Sequence, residues 1–325
     1  MIYQQFIKEI GRGANGSRNL SEEDARALYA AMLDGGVPDL ELGAIVLALR
    51  MKTESLSELL GFYGALNDRL HRLEAPKGAV RPVVIPTYNG ARSQPNLMPL
   101  VAFLLKRMGI TVLVHGTLEG HGRVASASVF SALGVQPCAT LSQAQDQLDR
   151  EDLAFVPTAV LSPGLADLLA LRQRLGVRNA AHTLAKLIDP FGGVGLRLVC
   201  MTHPDYLEKT RQFFLATGEL GLVMRGTEGE AYANPKKRPR IELYRDGAAQ
   251  VLFEQEHMTP LAHAPQDLNA EGTAAYIRKA LDGNAGLPLP IVNQLACCLY
   301  ACGYARDLNQ AKAVVALELR NHVPV

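Results

Sequence analysis

The sequence predicts an α/β protein with two parts. A small, mostly helical domain covers residues 1–75, and a larger α/β domain with a central mixed sheet covers residues 80–325. Three observations carry this expectation. Apolar residues recur at helical spacing through the first 75 positions. After Arg81 the pattern changes to short apolar runs that alternate with helical stretches, as in a sheet flanked by helices. Two runs between residues 240 and 254 are joined by Asp246-Gly247, the signature of a tight hairpin.

Taken in order, Ser21 stands three residues before Asp24 and marks a helix start, with Ala25, Leu28 and Met32 on one face. Gly35, Gly36 and Pro38 end that helix. Leu40 to Lys52 and Leu56 to Leu73 follow as helices, and Pro76-Lys77-Gly78 is a linker. Val83 to Ile85 is a buried strand ending at Pro86. A polar loop, Thr87 to Asn96, leads into a helix from Leu97 to Met108 closed by Gly109. Ile110 to Val114 is the next strand, and a helix starts near Ser126. Further strands are expected at Leu153–Val156, Leu196–Met201 and Gly221–Met224, then the hairpin of Arg240–Tyr244 and Gln250–Glu254. Helices at Ala274–Leu281 and Pro290–Cys302 close the chain.

Composition narrows the function classes. The chain has 325 residues, 48% of them apolar, enough for a large core without staples. The net charge of +1 means that any nucleic-acid site is a local patch. Five cysteines, an odd number without a Cys-x-x-Cys pair, suit buried thiols in a reducing compartment. No apolar run reaches membrane-spanning length, and the expected location is the cytoplasm.

Three loops carry chemistry. Pro86-Thr87-Tyr88-Asn89-Gly90-Ala91-Arg92-Ser93 leaves a strand and enters a helix, where free backbone amides make a natural phosphate seat. It is equally readable as an ordinary connection. His115-Gly116-Thr117-Leu118-Glu119-Gly120-His121-Gly122-Arg123 has three glycines that permit close backbone approach to a ligand. Its two histidines have no third partner at metal-binding spacing, so no metal site is expected. In Asn234-Pro235-Lys236-Lys237-Arg238-Pro239-Arg240, four of the last five residues are cationic. Composition leaves open a solvated loop, a nuclear signal or a phosphate-backbone contact.

The order and spacing of these loops resemble the anthranilate phosphoribosyltransferase family from end to end. Counting back from His115-Gly116, the family's Gly-Thr-Gly-Gly-Asp loop falls on Pro86 to Gly90, and its Asn on Asn96. Leu47-Ala48-Leu49-Arg50-Met51-Lys52, Leu175-Gly176-Val177-Arg178, Asp189-Pro190 and Gly226 to Gly229 extend the match. The resemblance implies the family's fold, with a helical segment returning near 142–190, and a homodimer formed through the helical domain. It also implies a relict ligand pocket at Thr87, Tyr88, Asn89, Gly90, Asn96, His115, Gly116, Thr117 and Arg172.

The departures bear on activity. The family's magnesium-holding Asp-Glu pair falls on Ala231-Tyr232, its loop acid on Gly90, its metal-side Ser on Met98, and its Lys and Asn around His-Gly on Val114 and Thr117. A divergent branch resembling this pattern binds nucleic acid. The expected function is therefore sequence-nonspecific binding of DNA or RNA by a catalytically degenerate homologue, with no cofactor. Arg92, Arg123, Lys186, Lys236, Lys237, Arg238 and Arg240 are the expected contacts, and Tyr88 or Tyr232 is expected to stack on bases. The alternative is an active phosphoribosyl or glycosyl transferase with another acceptor.

Overall fold

In the computed structural model, which describes residues 3–13, 15–257 and 267–319, the chain starts with α1 (Tyr3–Ile10) and α2 (Glu22–Leu33). Ser21 caps α2, its hydroxyl accepting from the Asp24 amide at 3.1 Å. α3 (Asp39–Lys52) and α4 (Leu56–Asn67) follow. Glu58 closes a capping box at the start of α4 by accepting from the Ser55 amide at 2.8 Å. The same buried carboxylate takes Leu20 N at 2.9 Å and Lys52 Nζ at 2.7 Å, which ties three segments together. α4 ends at Asn67, short of the expected Leu73. Beyond it the backbone turns outward to other partners: the His71 amide donates to Leu161 O at 2.8 Å, while Leu70 and Leu73 stay buried without helix.

The chain then forms β1 (Val83–Thr87), α5 (Met98–Arg107), β2 (Val112–Gly116), α6 (Ser126–Ala132), α7 (Leu141–Glu151) and β3 (Leu153–Pro157). Three helices come next, α8 (Thr158–Leu161), α9 (Pro163–Leu175) and α10 (Ala181–Leu184). The remainder is β4 (Leu196–Met201), α11 (Pro204–Thr217), β5 (Gly221–Arg225), β6 (Lys237–Arg238), β7 (Ile241–Arg245), β8 (Ala248–Phe253), β9 (Glu256–His257), α12 (Ala270–Leu281), α13 (Leu289–Ala301) and α14 (Leu308–Glu318).

These elements make two units. The helical one comprises the residues up to His71 together with Thr158–Ile188, and the α/β one comprises Arg72–Pro157 and the chain from Asp189 onward. The returning segment is thus Thr158–Ile188. α7 falls inside the 142–190 window but belongs to the α/β unit, where it packs on β3. In the helical unit, α2 and α4 lie close enough to stack Tyr29 on Phe62, with ring centroids 4.8 Å apart. Gly61 permits this, since a Cβ there would lie 2.3 Å from Glu22 O.

The α/β unit is a seven-stranded mixed sheet in the order β3-β2-β1-β4-β5-β7-β8. The first five strands are parallel, and the β7–β8 hairpin adds two antiparallel strands. β1, β2 and β4 are buried at every position, as parallel strands covered on both faces must be. Pro86 is tolerated in central β1 because the pairing with β4 involves only Val83 and Val84, so its missing amide costs no ladder bond there. All five cysteines are free and buried. Among the described residues no helix is long and apolar enough to cross a membrane.

Candidate functional site

The parallel strands gather their following loops at the carboxyl end of the sheet, where ligands of such folds bind. The loops after β1, β2 and β5 meet there. Ala91 and Val124 exchange backbone bonds of 3.0 and 2.8 Å, locking the first loop to the second. Gly116 lets the end of β2 lie close against the end of β1, because a Cβ on it would fall 1.8 Å from Thr87 O.

The loop after β5 then folds back over the first. Its turn is Glu228-Gly229, with φ of 53° and 91°, and a Cβ on Gly229 would lie 1.5 Å from Asn89 Nδ2. This turn aims two carboxylates at the phosphate seat. Glu230, wholly buried, accepts from the amides of Asn89 at 2.8 Å and Gly90 at 2.7 Å. Its second oxygen accepts from Thr87 Oγ1 at 2.6 Å and Ser126 Oγ at 3.2 Å. Glu228 accepts from the amides of Arg92 at 3.1 Å, Ser93 at 2.7 Å and Gln94 at 3.1 Å, and from the Arg123 guanidinium at 3.3 Å.

The other residues expected in a relict pocket are built into this arrangement. Asn96 is buried and donates to Val124 O and Ser126 Oγ, both at 3.0 Å. Tyr88 is buried with its hydroxyl 2.8 Å from His115 Nδ1. Burial pushes the His115 imidazole down to about 3, so it is neutral at physiological pH. Thr117 bonds to the first loop through its amide, 3.2 Å from Thr87 O. Arg172 lies in the helical unit, where burial first, then Arg178 and Arg172, depress His182 to about 3.

The magnesium chemistry implied by the family does not fit these residues. Ala231 and Tyr232 are fully buried, with the Tyr232 hydroxyl donating to Pro95 O at 2.7 Å. Gln294 of α13 fixes that stretch, accepting from Ala233 N at 2.7 Å and donating to Ala231 O at 3.0 Å. No group of three His, Cys, Asp or Glu side chains suited to a metal ion occurs among the described residues.

The expected cations separate into distinct environments. Lys186 is buried in the helical unit, only 5% exposed, so it cannot serve as an open phosphate contact. Arg123 is paired with Glu228. Arg238 is largely covered, bound to Glu256 at 2.6 Å and lying over the Phe253 ring, because β6 pairs with β9. Arg240 is held by Glu242 at 3.0 Å and Glu254 at 3.3 Å. The side chains of Arg92 and Lys236 are exposed and, among the described residues, have no carboxylate partner; the same lack of partner holds for Lys237 and for Arg225 at the end of β5. Arg225, Lys237, Arg240 and Arg211 line an open cleft of about 820 Å³ together with Gln94 and Glu228. Tyr88 and Tyr232, expected to stack on bases, are both buried and hydrogen-bonded, which rules out that role in this conformation. Sequence reasoning missed Glu228 and Glu230 as the groups that fill the first loop, and Arg211 as a wall of the cleft.

Comparison with known proteins agrees with this architecture. The glycosyl transferase family helical bundle domain matches residues 4–69. The uncharacterized protein YbiB of Escherichia coli (strain K12) is 45% identical over 316 residues, covering 97% of this chain and 99% of that protein. Anthranilate phosphoribosyltransferase of Methylobacterium nodulans is 26% identical over 322 residues, covering 97% and 93%. In fold, the crystal structure of anthranilate phosphoribosyltransferase from Thermus thermophilus matches with a TM-score of 0.77 at 21% identity, over 99% of this chain and 95% of that one. The Saccharomyces cerevisiae enzyme in complex with PRPP and Mg matches with a TM-score of 0.71 at 14% identity, over 98% and 95%. With 45% identity to a relative along almost its entire length and a fold in common with the transferases, the chain belongs to the anthranilate phosphoribosyltransferase-like family.

Proposed function

We propose that this chain binds DNA and RNA through their phosphates, without sequence preference, as a homodimer joined through its helical unit, and that it does not transfer phosphoribosyl groups. The observation that carries the proposal is the cleft at the carboxyl end of the sheet, where Arg225 and Lys237 face open space without a carboxylate partner among the described residues. Lys236 and Arg92, exposed on neighbouring loops, extend the same charge. Phosphate contacts need clustered, uncompensated cations and little else. Sequence readout needs side chains that reach bases, and the aromatic residues of these loops are buried. Transfer chemistry needs a seat for the diphosphate, and the amides that would form it are already bonded to Glu228 and Glu230.

The test is binding of unrelated single- and double-stranded oligonucleotides across a salt series, comparing the parent with Arg225→Ala/Lys236→Ala/Lys237→Ala. Loss of three phosphate contacts flattens the log-salt slope on duplex DNA by up to about three units, and equally for all sequences. Arg238→Ala, removing a cation already engaged by Glu256, leaves the slope nearly unchanged. An unaltered slope in the triple variant overturns the proposal.

A further inference from the structure

We infer that Glu228 and Glu230 are built-in anions that occupy the phosphate seat of the β1 loop and close it to phosphate esters and diphosphates. This goes beyond nucleic-acid binding and does not depend on it.

The six consecutive amides from Asn89 to Gln94 are a concave run of N–H groups of the kind that holds oxyanions. In this chain all six are committed. Asn89 and Gly90 donate to Glu230, Arg92, Ser93 and Gln94 donate to Glu228, and Ala91 donates to Val124 O. Backbone donors rarely stay unpaired when buried, so a seat with no bound anion needs some acceptor of its own. Two carboxylates supply acceptor oxygens and negative charge in place of phosphoryl groups.

The two seats differ. Glu230 is fully buried and also holds the Thr87 and Ser126 hydroxyls, so the inner seat is part of the core. The Glu228 side chain is 16% exposed and is backed by Arg123, so the outer seat has the makings of an oxyanion site, three amides and one guanidinium. A free anion must displace a carboxylate that is tethered to the same chain and therefore always present at high local concentration. The turn that presents both acids is fixed by Gly229 against Asn89, which leaves little freedom for Glu228 to swing away.

Removing the outer acid should therefore create a site for inorganic phosphate or pyrophosphate. The experiment compares the parent, Glu228→Ala and the control Glu254→Ala. The control also deletes one acid beside an arginine but touches no loop amide. Pyrophosphate is titrated against thermal unfolding, and hydrogen exchange is followed at residues 89–94. The parent should show slow exchange throughout and no saturable response. Glu228→Ala should lose protection at Arg92, Ser93 and Gln94 but keep it at Asn89 and Gly90. Pyrophosphate at about ten times its Kd should restore that protection and raise the unfolding midpoint by about 2–4 °C. The control should behave as the parent.

Saturable pyrophosphate binding by the parent at these amides overturns the inference. So does a folded Glu228→Ala whose amides 92–94 gain no protection from pyrophosphate, or an equal response in the control. If Glu228→Ala does not fold, Glu228→Gly, which carries no acceptor and is at ease at the φ of 53° found here, replaces it under the same criteria.

Discussion

At the scale of single residues, Glu230 has no exposure and four hydrogen-bond donors around its carboxylate. Its deletion leaves the Asn89 and Gly90 amides facing a void, at about 1–3 kcal/mol for each orphaned group. Glu230→Ala should lose about 3 kcal/mol or more of unfolding free energy in urea, against less than about 0.5 kcal/mol for Glu254→Ala at the surface. Equal losses at the two positions would mean that the buried carboxylate does not hold the loop. His115 gives a pH dependence with a definite sign. Its folded value is about 3, whereas an unfolded histidine titrates near 6.5, so between these limits the unfolded chain binds a proton that the folded chain refuses. Stability therefore falls as pH drops below about 6.5, by ~1.4 kcal/mol per pH unit from this residue, and recovers as pH rises. The measurement is the difference in slope between the parent and His115→Asn from pH 6.5 to 5. Parallel curves would show that the imidazole takes up its proton in the folded protein.

At the scale of elements, the strands and the hairpin were legible because their signals are local. Asp246 and Gly247 both take positive φ, 52° and 74°, as a two-residue hairpin turn requires, and the flanking runs become β7 and β8. The two loops were legible as strand-to-helix connections, the second with glycines that permit close backbone approach. What fills the first of them was not, since Glu230 lies 141 residues from Asn89 in sequence and no local pattern links them. Ala231-Tyr232 was legible as a loss of acids, but Glu228 and Glu230 just before it carried no local sign of the loop amides they bind. The cationic run misled for a similar reason. Four charges were visible in the sequence, but the strand pairing that brings Glu254 and Glu256 onto Arg240 and Arg238 was not. The β5 loop offers a test of how tightly it docks. Gly229 and Gly122 have similar φ, 91° and 81°, but only Gly229 has a neighbour where a Cβ would go. Gly122→Ala should cost about 1 kcal/mol from backbone strain alone, and Gly229→Ala at least about 2 kcal/mol more from the collision with Asn89. Equal costs, measured by denaturant unfolding, would mean that the loop can lift from Asn89 freely.

At the scale of the whole molecule, α3 is apolar on two sides. Ile45, Val46 and Leu49 face the core of the helical unit, while Leu40, Leu47 and Met51 are 83%, 49% and 77% exposed. With half-buried Ala44 these positions follow the spacing 40, 44, 47, 51, a single stripe along the helix. Ala44, Leu47 and Met51 of the stripe line a groove of about 570 Å³ together with Ile7, Ile10 and Ala48. A helix with apolar groups on both sides is normally covered on both, and a second copy of the same stripe is a self-complementary cover, giving a twofold interface. The 35.1 kDa chain should therefore sediment at twice that mass at micromolar concentration. Leu47→Glu/Met51→Glu places two acids of each copy against the apolar stripe of the other, so it should sediment as a 35.1 kDa monomer with unchanged secondary structure. The cations proposed to bind phosphate lie in the other unit, so the monomeric variant should keep the salt slope of each protomer and lose only the gain from two linked sites. A parent that already sediments as a monomer would show that this stripe stays uncovered, while a monomeric variant that also loses its salt slope would place the phosphate contacts on the helical unit instead.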